Sequence, residues 1–135
     1  MTTLRRREFL ARSGKAGLAA GVGTLVASRP ARGATPSERV RLACVGVHNR
    51  GFHLLKGFAA RPDVEIAYIC DVNQEWFPTR VKEVEQLSGR TPKTLQDFRH
   101  ALDDKSIDAV VIGTPDHWHV LASVLSCQAG KHVYV

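Results

Sequence analysis

An alternation constrains this chain more than any other feature. From residue 40 onward, short apolar runs rich in Val and Ile trade places with stretches of helical periodicity. Residues 40–45 (VRLACV) form the first β-rich run. Residues 50–60 (RGFHLLKGFAA) put Phe52, Leu55, Phe58 and Ala59 on one helical face, and Pro62 and Asp63 stop them. Residues 64–70 (VEIAYIC) read as a second strand. Asn73 stands where it can cap a second helix, with Pro78 in the first turn and Gly89 at the end. The pattern continues with a strand over 93–96, a short helix over 98–102 and a strand over 107–112. A helix over 120–128, closed by Gly130, and a strand over 132–135 complete it. Asp97 is expected to cap the short helix. Strands and helices alternating through short joints build a parallel sheet with helices on both faces. Strands buried on both sides read as nearly unbroken apolar runs, as VEIAYIC and IDAVVI do. The expected fold class is therefore α/β, a doubly wound parallel sheet.

Directly after the first strand comes GVHNRG, residues 46–51. Such a position suits a phosphate loop of pattern G-x-G-x-x-G. There the first glycine permits the tight turn, the second lets backbone approach a pyrophosphate, and the third lets helix and strand pack closely. Gly46 and Gly51 supply the first and third functions, while His48 puts a Cβ at the second. The backbone N–H groups of His48, Asn49 and Arg50 remain donors at a helix N-terminus, where the dipole favours anions. Arg50 and a protonated His48 would add positive charge. Binding is expected to be weakened or altered, with the side chain pointed away or the loop slightly shifted. Asp71 ends the second strand, where an acid hydrogen-bonds the adenosine ribose and repels a 2′-phosphate. The motif set thus points to a Rossmann-type domain holding NAD in preference to NADP.

The charge balance excludes another reading. Of 19 Lys/Arg and 13 Asp/Glu, residues 1–33 hold seven and one, which leaves 12 and 12 for residues 34–135. The body is formally neutral and carries no electrostatic footprint for nucleic acid. The basic excess belongs to a leader: RRREFLAR, then the apolar run AGLAAGVGTLVA over 16–27, then small residues up to Gly33. Twelve apolar residues fall short of the roughly 20 that cross a bilayer. A basic start, a short apolar run and small residues form an export signal. Arg6-Arg7-Glu8-Phe9-Leu10 looks like the R-R-x-F-L core of a twin-arginine signal, with cleavage expected after Gly33. The implied organisation is a signal over 1–33, a linker over 34–38 and the nucleotide-binding domain over 39–135. The implied partner is the twin-arginine export machinery, with membrane contact only during export and a periplasmic destination.

Three cysteines cannot complete a disulfide framework, and all three are expected as small buried hydrophobes. No C-x-x-C occurs. His117 and His119 form an H-x-H pair without a third ligand, so no metal is expected. Trp118 is expected to pack or to wall a pocket.

GVHNRG (46–51), CD (70–71), DF (97–98), IDAVVIGTPDHWH (107–119) and AGKHVYV (129–135) together resemble the N-terminal domain of the Gfo/Idh/MocA oxidoreductases, in their exported branch. The resemblance spans about residues 38–135. It implies that Thr114 and Pro115 line the cofactor beside the nicotinamide ribose, and that His119 begins the helix packed under it. It further implies an NAD-dependent oxidoreductase acting on sugars or polyols. The family's next motif, E-K-P, carries a catalytic lysine, and this sequence stops at Val135 before it. No catalytic residue is assigned, and the chain reads as a fragment. Two alternatives stand beside this: an NAD-dependent glycosidase fragment, and a non-catalytic nucleotide-binding module.

Overall fold

The computed structural model describes residues 39–135. The signal over 1–33, its cleavage site and the linker over 34–38 lie outside the described residues. Five strands form one sheet: β1 (Val40–Val45), β2 (Val64–Cys70), β3 (Lys93–Leu95), β4 (Ala109–Ile112) and β5 (His132–Tyr134). Four α-helices alternate with them: α1 (Asn49–Ala59), α2 (Phe77–Ser88), α3 (Arg99–Leu102) and α4 (Asp116–Gln128). A 3-10 turn, Gln74–Trp76, precedes α2. All strand pairs are parallel, in the order β3-β2-β1-β4-β5. This is the doubly wound sheet that the alternation demands.

Burial explains the layers. Leu42, Cys44, Ile66 and Ile69 face α1 and α2, where Leu55, Ala59 and Val84 meet them. Ala43, Val45, Val110 and Ile112 face the other way, toward Ala101 of α3 and Ala122 of α4. The alternation of side chains along β1 therefore feeds two separate cores. The helix ends follow local chemistry. The Asn73 side chain accepts from the Glu75 N–H at 3.0 Å and caps the 3-10 turn, and Pro78 sits in the first turn of α2. Gly89 ends α2 in the left-handed conformation with φ 69°. The Asp97 carboxylate accepts from the Arg99 N–H at 3.0 Å at the start of α3.

Two expectations need correction. Helix α4 begins at Asp116, four residues before the expected start at Val120, so His119 lies inside the first turn and does not open the helix. Cys44 and Cys70 are buried as expected, but Cys127 lies on the outer face of α4 and is exposed.

Candidate functional site

The strand order reverses between β1 and β4, and ligands of open α/β sheets lie outside the carboxyl ends of the strands at such a point. Gly46 donates its N–H to the Cys70 carbonyl at 2.8 Å, and Gly113 donates to the Val45 carbonyl at 2.8 Å. The ends of β1, β2 and β4 are thereby locked together below the loop.

Three glycines make the cradle. A Cβ on Gly51 would lie 1.7 Å from the Gly46 carbonyl oxygen. A Cβ on Gly46, whose φ is +74°, would meet the Thr114 backbone at 2.7 Å. A Cβ on Gly113 would lie 2.4 Å from the Gly51 Cα. The start of α1 is pressed against the ends of β1 and β4 at a distance only glycine allows. Gly46 and Gly51 were legible as a motif. Gly113 was legible as the ligand-side end of its strand but not as a third glycine of the cradle, although a glycine closing a strand is itself a signal of close backbone approach.

His48 does not obstruct the loop. Its backbone is extended (φ −101°, ψ 160°), a conformation any residue adopts. Its imidazole turns aside and stacks on Trp76, with ring centroids 4.4 Å apart and planes 23° from parallel. Behind the loop lies Arg80, only 7% exposed. Its Nε donates to the Val47 carbonyl at 2.8 Å, and its guanidinium lies 3.6 Å from the Phe52 ring centroid and 5.2 Å from that of Trp76. Burial pulls the Arg80 pKa below the ordinary arginine value, while the charges of Glu83 and Asp71 oppose that shift.

Asp71 clamps the loop from the β2 side. Its Oδ2 accepts from the Val47 N–H at 2.9 Å, and its Oδ1 accepts from the Asn73 N–H at 3.0 Å. Each carboxylate oxygen has a second lone pair, so ribose hydroxyls can still be accepted.

A cavity of about 620 Å³ opens beside the loop, within the size range of ligand pockets. It brings Gly46, Asp71, Thr114 and Pro115 together, with Phe98, Trp118 and Leu121 as apolar walls. His48, Asn49, Arg50, Gly51 and His119 are not in its lining; the first three stand exposed at the mouth of α1. Gln96, Phe98 and Leu121 line it without having been anticipated, because nothing local in their sequence separates a pocket wall from ordinary core. Cys70 also lines it, but burial, followed by the charges of Asp97 and Asp71, pushes its thiol up to about 12. A thiol held neutral is no nucleophile. The His119 Nε2 donates to the Thr114 carbonyl at 2.7 Å and so fixes the turn that carries Thr114 and Pro115.

Thr114 has a further peculiarity. Among the described residues, its Oγ1 is the one sealed side-chain polar atom without a hydrogen-bond partner. Such a group costs roughly 1–3 kcal/mol. Thr114→Val keeps the shape and removes the unpaired hydroxyl. It is expected to raise stability by about 1 kcal/mol in a denaturant titration; a loss of stability would show that the hydroxyl has a partner.

Fold and site define a class, a doubly wound domain with a glycine cradle for a dinucleotide at its switch point. Residues 35–135 match the Gfo/Idh/MocA oxidoreductase family in its NAD-binding Rossmann fold, and the chain belongs to that family. The chain is 34% identical to a glycosyl hydrolase family 109 protein of Stenotrophomonas maltophilia, over 98% of this chain and 29% of the relative. It is 30% identical to an alpha-N-acetylgalactosaminidase of Shewanella oneidensis, over 100% of this chain and 34% of the relative. The chain thus spans about a third of the length of these curated relatives. Among solved structures, scyllo-inositol dehydrogenase from Lactobacillus casei with bound NAD(H) superposes with a TM-score of 0.58 at 22% identity, covering 70% of this chain and 27% of that one. A levoglucosan dehydrogenase in complex with NADH and L-sorbose superposes with a TM-score of 0.61 at 22% identity, covering 70% and 26%. At that identity the likeness establishes the fold.

Proposed function

We propose that this chain is the NAD-holding part of an exported enzyme that acts on sugars or polyols. One observation carries the reading: the interlocked Gly46, Gly51 and Gly113, closed from the β2 side by Asp71. That cradle fits a pyrophosphate at the start of α1, on the amides of His48, Asn49 and Arg50. The adenosine ribose would lie against Asp71, and its base in the apolar cavity walled by Phe98, Trp118 and Leu121. Thr114 and Pro115 would line the nicotinamide-ribose side, with His119 holding their turn. When bound, the nicotinamide supplies the hydride chemistry, and the residues of this chain bind and orient it. Asp71 and Glu75 follow β2, and no Lys or Arg occurs over residues 71–79. At that strand end a 2′-phosphate would meet the Asp71 carboxylate, which favours NAD over NADP.

Titration of the full 135-residue chain with NAD and NADP tests this. NAD is expected to bind, and NADP more weakly. No NAD binding at millimolar concentration, with the protein demonstrably folded, would defeat the assignment.

The organisation belongs to the same proposal: a twin-arginine signal over 1–33, a linker over 34–38 and the cofactor domain over 39–135, with a periplasmic destination. A folded reporter carrying residues 1–33 that stayed in the cytoplasm would sink the export part.

The names of the most similar relatives favour a second reading, an NAD-dependent glycosidase. Here transient oxidation by tightly held NAD would assist cleavage of a glycosidic bond, with no net redox change. The two readings share this domain and part at the substrate half. A complete enzyme carrying this domain, assayed on aryl glycosides, separates them: release of aglycone without NADH build-up supports the glycosidase.

A further inference from the structure

Arg80 is an expensive residue to place where it is. It is 7% exposed, and among the described residues no carboxylate lies within ion-pair distance of it. Burying a cation without a contact ion pair is costly even with the charges of Glu83 and Asp71 nearby, and a methionine or leucine would fill the space beside Phe52 and Trp76 more cheaply. Its Nε nevertheless makes one bond, to the Val47 carbonyl at 2.8 Å.

The geometry of a peptide unit says what that bond does. The Val47 C=O and the His48 N–H belong to one planar trans peptide and point in opposite directions. Fixing the carbonyl toward Arg80 therefore aims the His48 N–H away from α2, outward from the loop. The preceding peptide is clamped as well, because the Val47 N–H is held by Asp71 at 2.9 Å. Meanwhile the imidazole of His48 is parked on Trp76, 4.4 Å away.

We propose that Arg80 is a positioning residue for the dinucleotide: by anchoring the Val47 carbonyl it directs the His48 amide at the pyrophosphate, so the loop works without its middle glycine. This rests on the NAD-binding reading above.

The full-length chain is compared with Arg80→Met and Arg80→Gln, using ADP and adenosine as probes in calorimetry. Methionine reaches as far as the position of the arginine Nε and removes the donor. Glutamine places its Nε2 at the same position along the side chain as the arginine Nε and removes the charge. Arg80→Met is expected to lose about tenfold or more in ADP affinity, with adenosine changed by less than about twofold. Arg80→Gln is expected to return to within about threefold of the original chain. A purely structural role would weaken ADP and adenosine in parallel, and that result overturns the proposal. So does an Arg80→Met variant that binds ADP normally, or a Gln variant as poor as the Met variant. An original chain that binds neither probe brings down the NAD reading itself. If Arg80→Met does not fold, the His48 amide resonance of the original chain decides. A large shift with ADP and a small one with adenosine supports the proposal, and no shift with ADP overturns it.

Discussion

Gly51→Ala is expected to destabilise the domain by about 3 kcal/mol or more and to abolish NAD binding. The new Cβ would fall 1.7 Å from the Gly46 carbonyl oxygen, 2.8 Å from its carbon and 3.2 Å from the Gly113 carbonyl oxygen. Every obstructing atom is backbone, so no rotamer change relieves the clash. The backbone cannot easily retreat, because β1 and β4 are paired in register from Leu42↔Ala109 to Val45↔Ile112 directly beneath it. Gly57→Ala supplies the contrast within the same helix. A Cβ there meets nothing within 4 Å, and alanine is favoured over glycine in a helix by about 1 kcal/mol. Denaturant titrations of both variants check the pair. The interlock is wrong if Gly51→Ala matches the parent chain in stability and in NAD titration.

How much of this was legible depended on whether the signal was local. The strands β1 and β2 carry their own apolar runs, and the residues that end them, Gly46 and Asp71, announce themselves by position. The start of α4 was legible in principle. Pro115 followed by Asp116 is a helix-start signal, an acid in the first turn. The segment DHWH lacks apolar periodicity, however, and periodicity placed the start at Val120. Arg80 was not legible. It sits in a stretch, FPTRVKEVEQLS, that reads as a solvated helix, and only its tertiary contacts with Val47, Phe52 and Trp76 bury it. The resolution of His48 was equally hidden. The sequence shows that a Cβ intrudes on the loop, but the ring that receives the imidazole is Trp76, beyond the next strand. Cys127 failed for a related reason. Helix α4 buries Ala122 and Ser126, and the apolar Val120 and Val124 on its outer side gave no sequence signal for which face turns inward.

Replacing Asp71 separates two duties that the sequence presents as one. As the acid at the end of β2, it is placed for the adenosine ribose. In the folded chain its two carboxylate oxygens already accept from the Val47 and Asn73 amides at 2.9 and 3.0 Å. Asp71→Ala strands both donors, and each unsatisfied amide costs roughly 1–3 kcal/mol where water cannot replace the partner. Asp71→Asn keeps one acceptor oxygen and turns an NH₂ toward the other amide, so it repairs half of the clamp. The Asn variant is therefore expected to retain more stability than the Ala variant. NAD affinity is expected to fall about 10- to 100-fold in both, because the charged acceptor for the ribose is gone from each. NADP should move the other way or stay level, since removing the carboxylate removes the repulsion of a 2′-phosphate. The ratio of NADP to NAD dissociation constants, read by titrating both cofactors into each folded variant, carries the test. A ratio unchanged from the original chain, with NAD binding intact in Asp71→Asn, would leave Asp71 as a loop clamp alone and remove it from the cofactor's ribose.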